Sequence, residues 1–198
     1  MTQAERREQN RADIIQAAAQ VIARHGFHGM SMRKLAQATR RGLATFYNYF
    51  ESKEEVLFEL QRQAFTTLVS RARRALDDVH DPKQRLYAFI EAHVQYFADH
   101  PDVMQVLVRE AAALPRGWRQ EVRNLKESYF DIGRDVVQAV AERSCEEREL
   151  ERATYGVFGM LNWVYGWYQP SRHGAPADVA ATLHRMAMWG LAGRQHRE

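Results

Sequence analysis

The sequence is poor in what most function classes require. One cysteine, Cys145, stands alone, so no disulfide closes within the chain. That excludes a disulfide-stapled secreted domain and makes a reducing compartment, the cytoplasm, the expected location. The acids that follow it, in CEERE, oppose a thiolate and argue against a cysteine nucleophile. No run of about 18 apolar residues occurs, so no spanning helix is expected. The opening MTQAERREQNRADII has no apolar h-region, so no secretory signal is expected either. The eight histidines are scattered, with no H-x-x-x-H pair, and His25 and His28 border the turn at Gly26. H-E-x-x-H, G-x-S-x-G, a phosphate loop and a dinucleotide fingerprint are all missing. An enzyme, a metal and a cofactor are therefore not expected. Lysine and arginine are not segregated opposite a broad apolar face, which argues against a membrane-surface helix. Period-two alternation, internal repeats, low-complexity tracts and flexible linkers are also absent.

What is present is helix. RADIIQAAAQVIARHG carries Ile14, Ile15, Ala18, Val21 and Ile22 at spacings of three and four and stops at Gly26. Ser31 is an N-cap for SMRKLAQA, and Ser52 with Glu55 forms a capping box for a long helix carrying Val56, Leu57, Leu60, Phe65, Leu68 and Val69. HDP at 80–82, HP at 100–101 and Pro115 punctuate the rest, followed by amphipathic stretches over 116–143, 146–167 and 178–191 and a loop QPSRHGAP. The fold class is all-α, with about nine helices.

The net charge of +3 is small until it is divided. Residues 1–53 hold nine Lys/Arg against four acids, a surplus of five, and the remainder holds 19 against 21. A basic front module implies a polyanionic partner. Within it, helices over 31–38 and about 43–49 are separated by TRRG, which is helix-turn-helix spacing. The second helix of such a pair enters the major groove of double-stranded DNA. This accounts for four aromatics within TFYNYF. Phe46 and Phe50 share the inward face, while the hydroxyls of Tyr47 and Tyr49 suit phosphate oxygens. Lys53, at the start of the next helix, is placed to hold a phosphate.

MSMRKLAQATRRGLATFYNYFESKEEVLFEL resembles the DNA-binding head of the TetR family of bacterial transcriptional regulators, with matches at Arg33, Leu35, Ala36, Ala38, Thr45, Tyr47, Tyr49, Phe50, Ser52, Lys53 and Glu54. Residues 1–51 are then the DNA-binding domain and 52–198 a ligand-binding and dimerisation domain. Arg33, Arg41, Gly42, Leu43, Thr45, Tyr47, Tyr49 and Lys53 are the expected DNA contacts. The family's turn reads Gly-Val-Ser where this chain has Arg40-Arg41-Gly42. Gly42 can still cap, more weakly. Arg41 cannot be buried unpaired, so either the turn is reshaped or Arg41 reaches out to DNA.

The resemblance also implies a homodimer and a pocket just inside its interface. YGVFGMLNWVYGWYQP, residues 155–170, interleaves aromatics with Gly156, Gly159 and Gly166, as close approach of a helix or a ligand would require. Asn162, Trp163 and Trp167 are the expected pocket wall, with Arg109 and Tyr129 as further candidates. The pattern is similar to that of TetR-type regulators of fatty-acid and steroid catabolism. It implies a small hydrophobic effector such as an acyl-CoA, with cations from Arg109, Arg116, Arg119 and Arg123. The expected function is a ligand-released repressor. The alternative is a regulator of drug efflux sensing lipophilic drugs, which a buried carboxylate would favour.

Overall fold

The computed structural model describes residues 2–110, 113–141 and 146–192, and Cys145 lies outside them. Among the described residues the chain is all-α, with ten α-helices, one 3-10 turn and no strand. It forms two compact units, Met1–Phe65 with Asp102–Asn124, and Thr66–Pro101 with Leu125–Glu198.

In the first unit α1 (Gln3–Gly29) opens with a capping box in which Thr2 Oγ1 accepts the Glu5 N–H and the Glu5 carboxylate accepts the Thr2 N–H. The helix breaks at Gly26, whose φ of 69° and ψ of 162° suit only glycine, and one more turn runs to Gly29. The Phe27 N–H released by the break is accepted by the Glu110 carboxylate at 3.0 Å. Glu110 follows α6 (Pro101–Arg109), and its own carbonyl accepts Gln61 Nε2 of α4 (Lys53–Leu76) at 3.1 Å. α2 (Met32–Ala38) starts at the Ser31 cap, and α3 (Leu43–Tyr47) follows after the turn. Ile14, Ala18, Ile22, Leu35, Phe46, Phe50, Val56 and Leu57 fill the core.

The second unit contains α5 (Pro82–Asp99), α8 (Glu147–Asn162), α9 (Pro170–His173) and α10 (Pro176–Ala192), with parts of α4 and α7 (Arg116–Val140). α5 is capped by Asp81 with Pro82 at its first position, and α10 packs along it. α8 ends at Asn162, earlier than the expected Trp167, and Val164–Gly166 is a 3-10 turn. In a continued helix the Pro170 ring would meet the Gly166 carbonyl, so the last turn tightens and the chain restarts as α9 inside the expected loop. Gly133 on α7 faces Phe158 and Phe89, where a Cβ would sit 2.7 and 3.0 Å from their rings. The aromatic core closes onto bare backbone there.

Candidate nucleic-acid interface and effector site

α3 has five residues and no side-chain cap, because Gly42 stands at its N-cap. Phe46 is 0 % and Phe50 1 % exposed, with ring centroids 6.2 Å apart. The opposite face, with Gly42, Leu43, Ala44, Thr45, Tyr47 and Asn48, is exposed, as is Arg33 on α2. A helix held by its apolar edge thus presents its other edge outward, where a recognition helix meets DNA.

The turn before α3 holds a residue in the left-handed conformation that glycine adopts most readily. Arg40 adopts φ 53°, its N–H bonds the Gln37 carbonyl at 3.1 Å, and the Arg41 N–H bonds the Ala36 carbonyl at 2.9 Å. This is a Schellman closure with arginine in the left-handed position. The turn is therefore not reshaped, and the expectation that Arg41 points outward is corrected. Its guanidinium folds onto α1, donating to Asn10 Oδ1 at 2.9 Å and pairing with Asp13 at 3.4 Å. A half-buried cation is tolerated because α1 supplies both partners.

Tyr49 and Lys53 are likewise engaged within the head itself in the single chain. The Tyr49 hydroxyl accepts Asn10 Nδ2 at 3.0 Å, so Asn10 holds the chain on both sides of α3. The Lys53 ammonium bonds the Phe27 and Met30 carbonyls at 3.3 and 3.5 Å and lies 4.5 Å from the Phe27 ring centroid. It adds a second donor to the Phe27 carbonyl, which also accepts the Met30 N–H, and reaches the carbonyl of the Met30 cap. Asn10 escaped sequence reasoning because it lies in a charged stretch without apolar periodicity.

In the second unit, His93 of α5 is fully buried among Phe97, Tyr129 and Phe158. Its Nδ1 lies 2.9 Å from the Tyr129 hydroxyl. Burial pushes the His93 imidazole down to about 3, with the Leu161 carbonyl opposing weakly, and it raises the Tyr129 phenol. Both groups are therefore neutral at physiological pH. A phenol kept protonated donates to Nδ1, which leaves the ring proton on Nε2. That Nε2 is buried and completes no hydrogen bond of ordinary geometry; the Leu161 carbonyl is the backbone acceptor that lies toward the ring. His93 lies in EAHVQYF on the inward face of α5, a signal hidden while the histidines are taken singly.

Of the expected effector residues, the structure places only Tyr129 in this core. Asn162 is exposed, Trp163 is 63 % exposed and Trp167 lies edge-on to His173 in the following loop, so in the single chain they wall no buried pocket. The early end of α8 is the reason. Arg109, Arg116 and Arg123 are exposed, and the Arg119 guanidinium donates to the Leu114 carbonyl at 2.7 Å. Trp163 is instead exposed, as are Tyr155 on α8 and Met186 and Trp189 on α10. A Cβ on Gly156 or Gly159 of the same helix would meet nothing within 4 Å.

A helix-turn-helix with an outward second helix, carried on an all-helical body, is the architecture of a DNA-binding transcriptional regulator rather than an enzyme. Residues 14–60 match the model of bacterial regulatory proteins of the tetR family, and residues 79–191 that of the tetracyclin repressor-like C-terminal domain. The chain belongs to the TetR family. It is 26% identical over 119 residues to the Fatty acid metabolism regulator protein of Bacillus subtilis (strain 168), covering 60% of this chain and 61% of that protein. A TetR-family transcriptional regulator from Bordetella parapertussis 12822 superposes with a TM-score of 0.86 at 25% identity, over 94% of this chain and 98% of that one. AibR, solved with isovaleryl coenzyme A and operator DNA, shares the fold at a TM-score of 0.78 and 21% identity, over 89% and 97% of the two chains. No described helix is long and apolar enough to cross a membrane.

Two outcomes follow from this geometry. Arg40→Gly relieves left-handed strain of about 1–2 kcal/mol against a chain-entropy cost of about 0.5–1 kcal/mol. The urea midpoint should therefore rise at fixed protein concentration with an unchanged slope; an unchanged or lower midpoint counts against a strained Arg40. The second outcome concerns His93, whose folded pKa lies below its unfolded value of about 6.5. Its contribution to stability is complete above that pH and is lost as the pH falls toward 3, because the unfolded state takes up the proton first. Wild type should lose up to about 1.4 kcal/mol per pH unit more than His93→Gln below pH 6.5. Parallel stability curves for the two would show that the ring is not held neutral.

Proposed function

We propose that this regulator is a cytoplasmic homodimeric repressor released from its operator by a small effector with a hydrophobic chain and a carbonyl, an acyl-CoA in the first place. Residues 1–51 bind double-stranded DNA, and residues 52–198 dimerise and sense the effector. Arg33, Gly42, Leu43, Thr45 and Tyr47 meet the DNA, while Arg41, Tyr49 and Lys53 hold the head in shape.

One observation carries the effector class: a neutral His93 inside an aromatic core, bonded to Tyr129 through Nδ1, whose Nε2 completes no hydrogen bond of ordinary geometry although the Leu161 carbonyl lies toward the ring. A buried donor without a well-formed hydrogen bond costs about 1–3 kcal/mol, which a ligand carbonyl repays on binding. The thioester carbonyl is such an acceptor, and the rings beside it suit an acyl chain. The structure of AibR with isovaleryl coenzyme A and the name of the Bacillus relative support the same class. A lipophilic cation would call for a buried, unpaired carboxylate, and the buried Glu59 of residues 52–198 is already paired with Arg11 and Arg62. That weighs against the drug-efflux reading.

The exposed apolar side chains of α8 and α10, Tyr155, Trp163, Met186 and Trp189, are assigned to a second copy of the chain. Trp189 alone is 73 % exposed, and several large exposed apolar side chains on two neighbouring helices are what an interface would cover. The open glycines on α8 would let a facing helix approach closely.

DNA enriched by the protein from a random pool supplies the probe for release. Acyl-CoAs of graded chain length should weaken that complex about 5–150-fold, as coupling of about 1–3 kcal/mol gives. His93→Phe should keep DNA affinity but lose the release. Release by lipophilic cations and not by acyl-CoAs would favour the drug-sensing alternative. Sedimentation should give twice the 23.0 kDa chain mass for wild type and the single mass for Trp189→Glu. A dimeric, folded Trp189→Glu would move the interface elsewhere.

A further inference from the structure

The first turns of α1 precede the matched DNA-binding region, which begins at residue 14. They are exposed throughout residues 3–9 and carry Arg6 and Arg7. An open groove runs between them and the end of α3, with Arg6, Arg7 and Asn10 on one wall and Thr45, Asn48 and Tyr49 on the other. We propose that this groove seats the phosphodiester backbone of the DNA strand flanking the bases under α3, with Arg6 and Arg7 each holding a phosphate.

Three observations support it. First, these two cations are uncommitted. Arg11 pairs with Glu59, Arg41 with Asp13, Lys34 bonds the Gly29 carbonyl and Lys53 the Phe27 carbonyl. Neither Arg6 nor Arg7 has an ion-pair partner among the described residues, and none is available at helical spacing. Three and four residues on from Arg6 stand Gln9 and Asn10, and from Arg7 Asn10 and Arg11. Second, the groove is continuous with the candidate reading face through Thr45, which sits in the first turn of α3, where base contacts are made. Third, its other groups, Asn48 and the exposed Thr45, are neutral hydrogen-bonding side chains of the kind that bond phosphate oxygens, with no carboxylate lining it. Guanidinium on phosphate is a charge-assisted, two-pronged match, and each such contact adds to the salt dependence of binding.

The proposal rests on DNA binding by α3, and its test separates the two. Binding to two duplexes, one with A·T-rich and one with G·C-rich flanks, is measured across salt for wild type, an Arg6→Gln/Arg7→Gln double variant and an Arg6→Lys/Arg7→Lys double variant. The Gln variant should lower the salt slope by about two for each subunit engaged and weaken binding on the order of tenfold per arginine at about 50 mM salt, equally on both duplexes. The Lys variant should keep the slope. Thermal melting should be unchanged in both, since the two side chains are exposed and unpaired. An unchanged slope in a folded Gln variant that still binds DNA overturns the proposal and makes these arginines a solvated helix end. A loss confined to the A·T-rich duplex also overturns it, in favour of insertion into the minor groove. Wild type that binds neither duplex in a salt-dependent way overturns both the proposal and the reading beneath it.

Discussion

Burial of Phe46 and Phe50 is the constraint on which the candidate DNA face depends. Isolated helices shorter than about 12–15 residues are marginal in water, and α3 has five residues and no side-chain cap. It persists because two aromatic rings on one edge are removed from solvent. The surrounding polar groups then set its orientation. Arg11 lies 4.5 Å from the Phe50 ring centroid and donates to the Tyr49 carbonyl at 3.2 Å. Asn10 bonds Arg41 before the helix and Tyr49 after it. α1 is thus the frame of the recognition element as well as a packing partner.

The basic surplus of the first 53 residues has two physical fates. Arg11, Lys34, Arg41 and Lys53 are spent on carbonyls and carboxylates of the head itself. Arg6, Arg7, Arg24, Arg33 and Arg40 remain exposed. The difference follows from position. A cation beside a helix end or a turn meets unsatisfied carbonyls, and one beside an acid of another helix forms a pair. A cation on the outer turns of α1 or α2 meets only water or a polyanion. The same accounting joins α1 to Glu110, because a helix broken at Gly26 releases an N–H that must be accepted somewhere.

The second unit solves a different problem, that of keeping polar groups in an aromatic core. Thr154 donates to the Leu150 carbonyl of its own helix at 2.8 Å. Tyr129 and His93 bond each other, and desolvation keeps both neutral. Gly133 lets Phe158 and Phe89 close over them, since any side chain there would hold the rings apart. Among the described residues His93 Nε2 completes no hydrogen bond of ordinary geometry, and only the Leu161 carbonyl opposes its desolvation.

The sequence by itself determined the helical class, the helix-turn-helix and the inward pair Phe46 and Phe50. These rest on periodicity, capping residues and spacing, which are local properties of a chain. It did not reveal where Arg41, Tyr49 and Lys53 point, because the partners Asn10, Phe27 and Met30 lie 23 to 39 residues away and meet them only in the folded head. The pocket wall expected at Asn162, Trp163 and Trp167 rested on a helix continuing past its actual end, and its aromatics face outward once Pro170 and Gly166 turn the chain. His93 gained its meaning from burial beside Tyr129, 36 residues on. Local pattern determines which element forms. Which face of that element is dry, and which polar group lacks a partner there, is decided by segments distant in sequence that only the tertiary structure brings together.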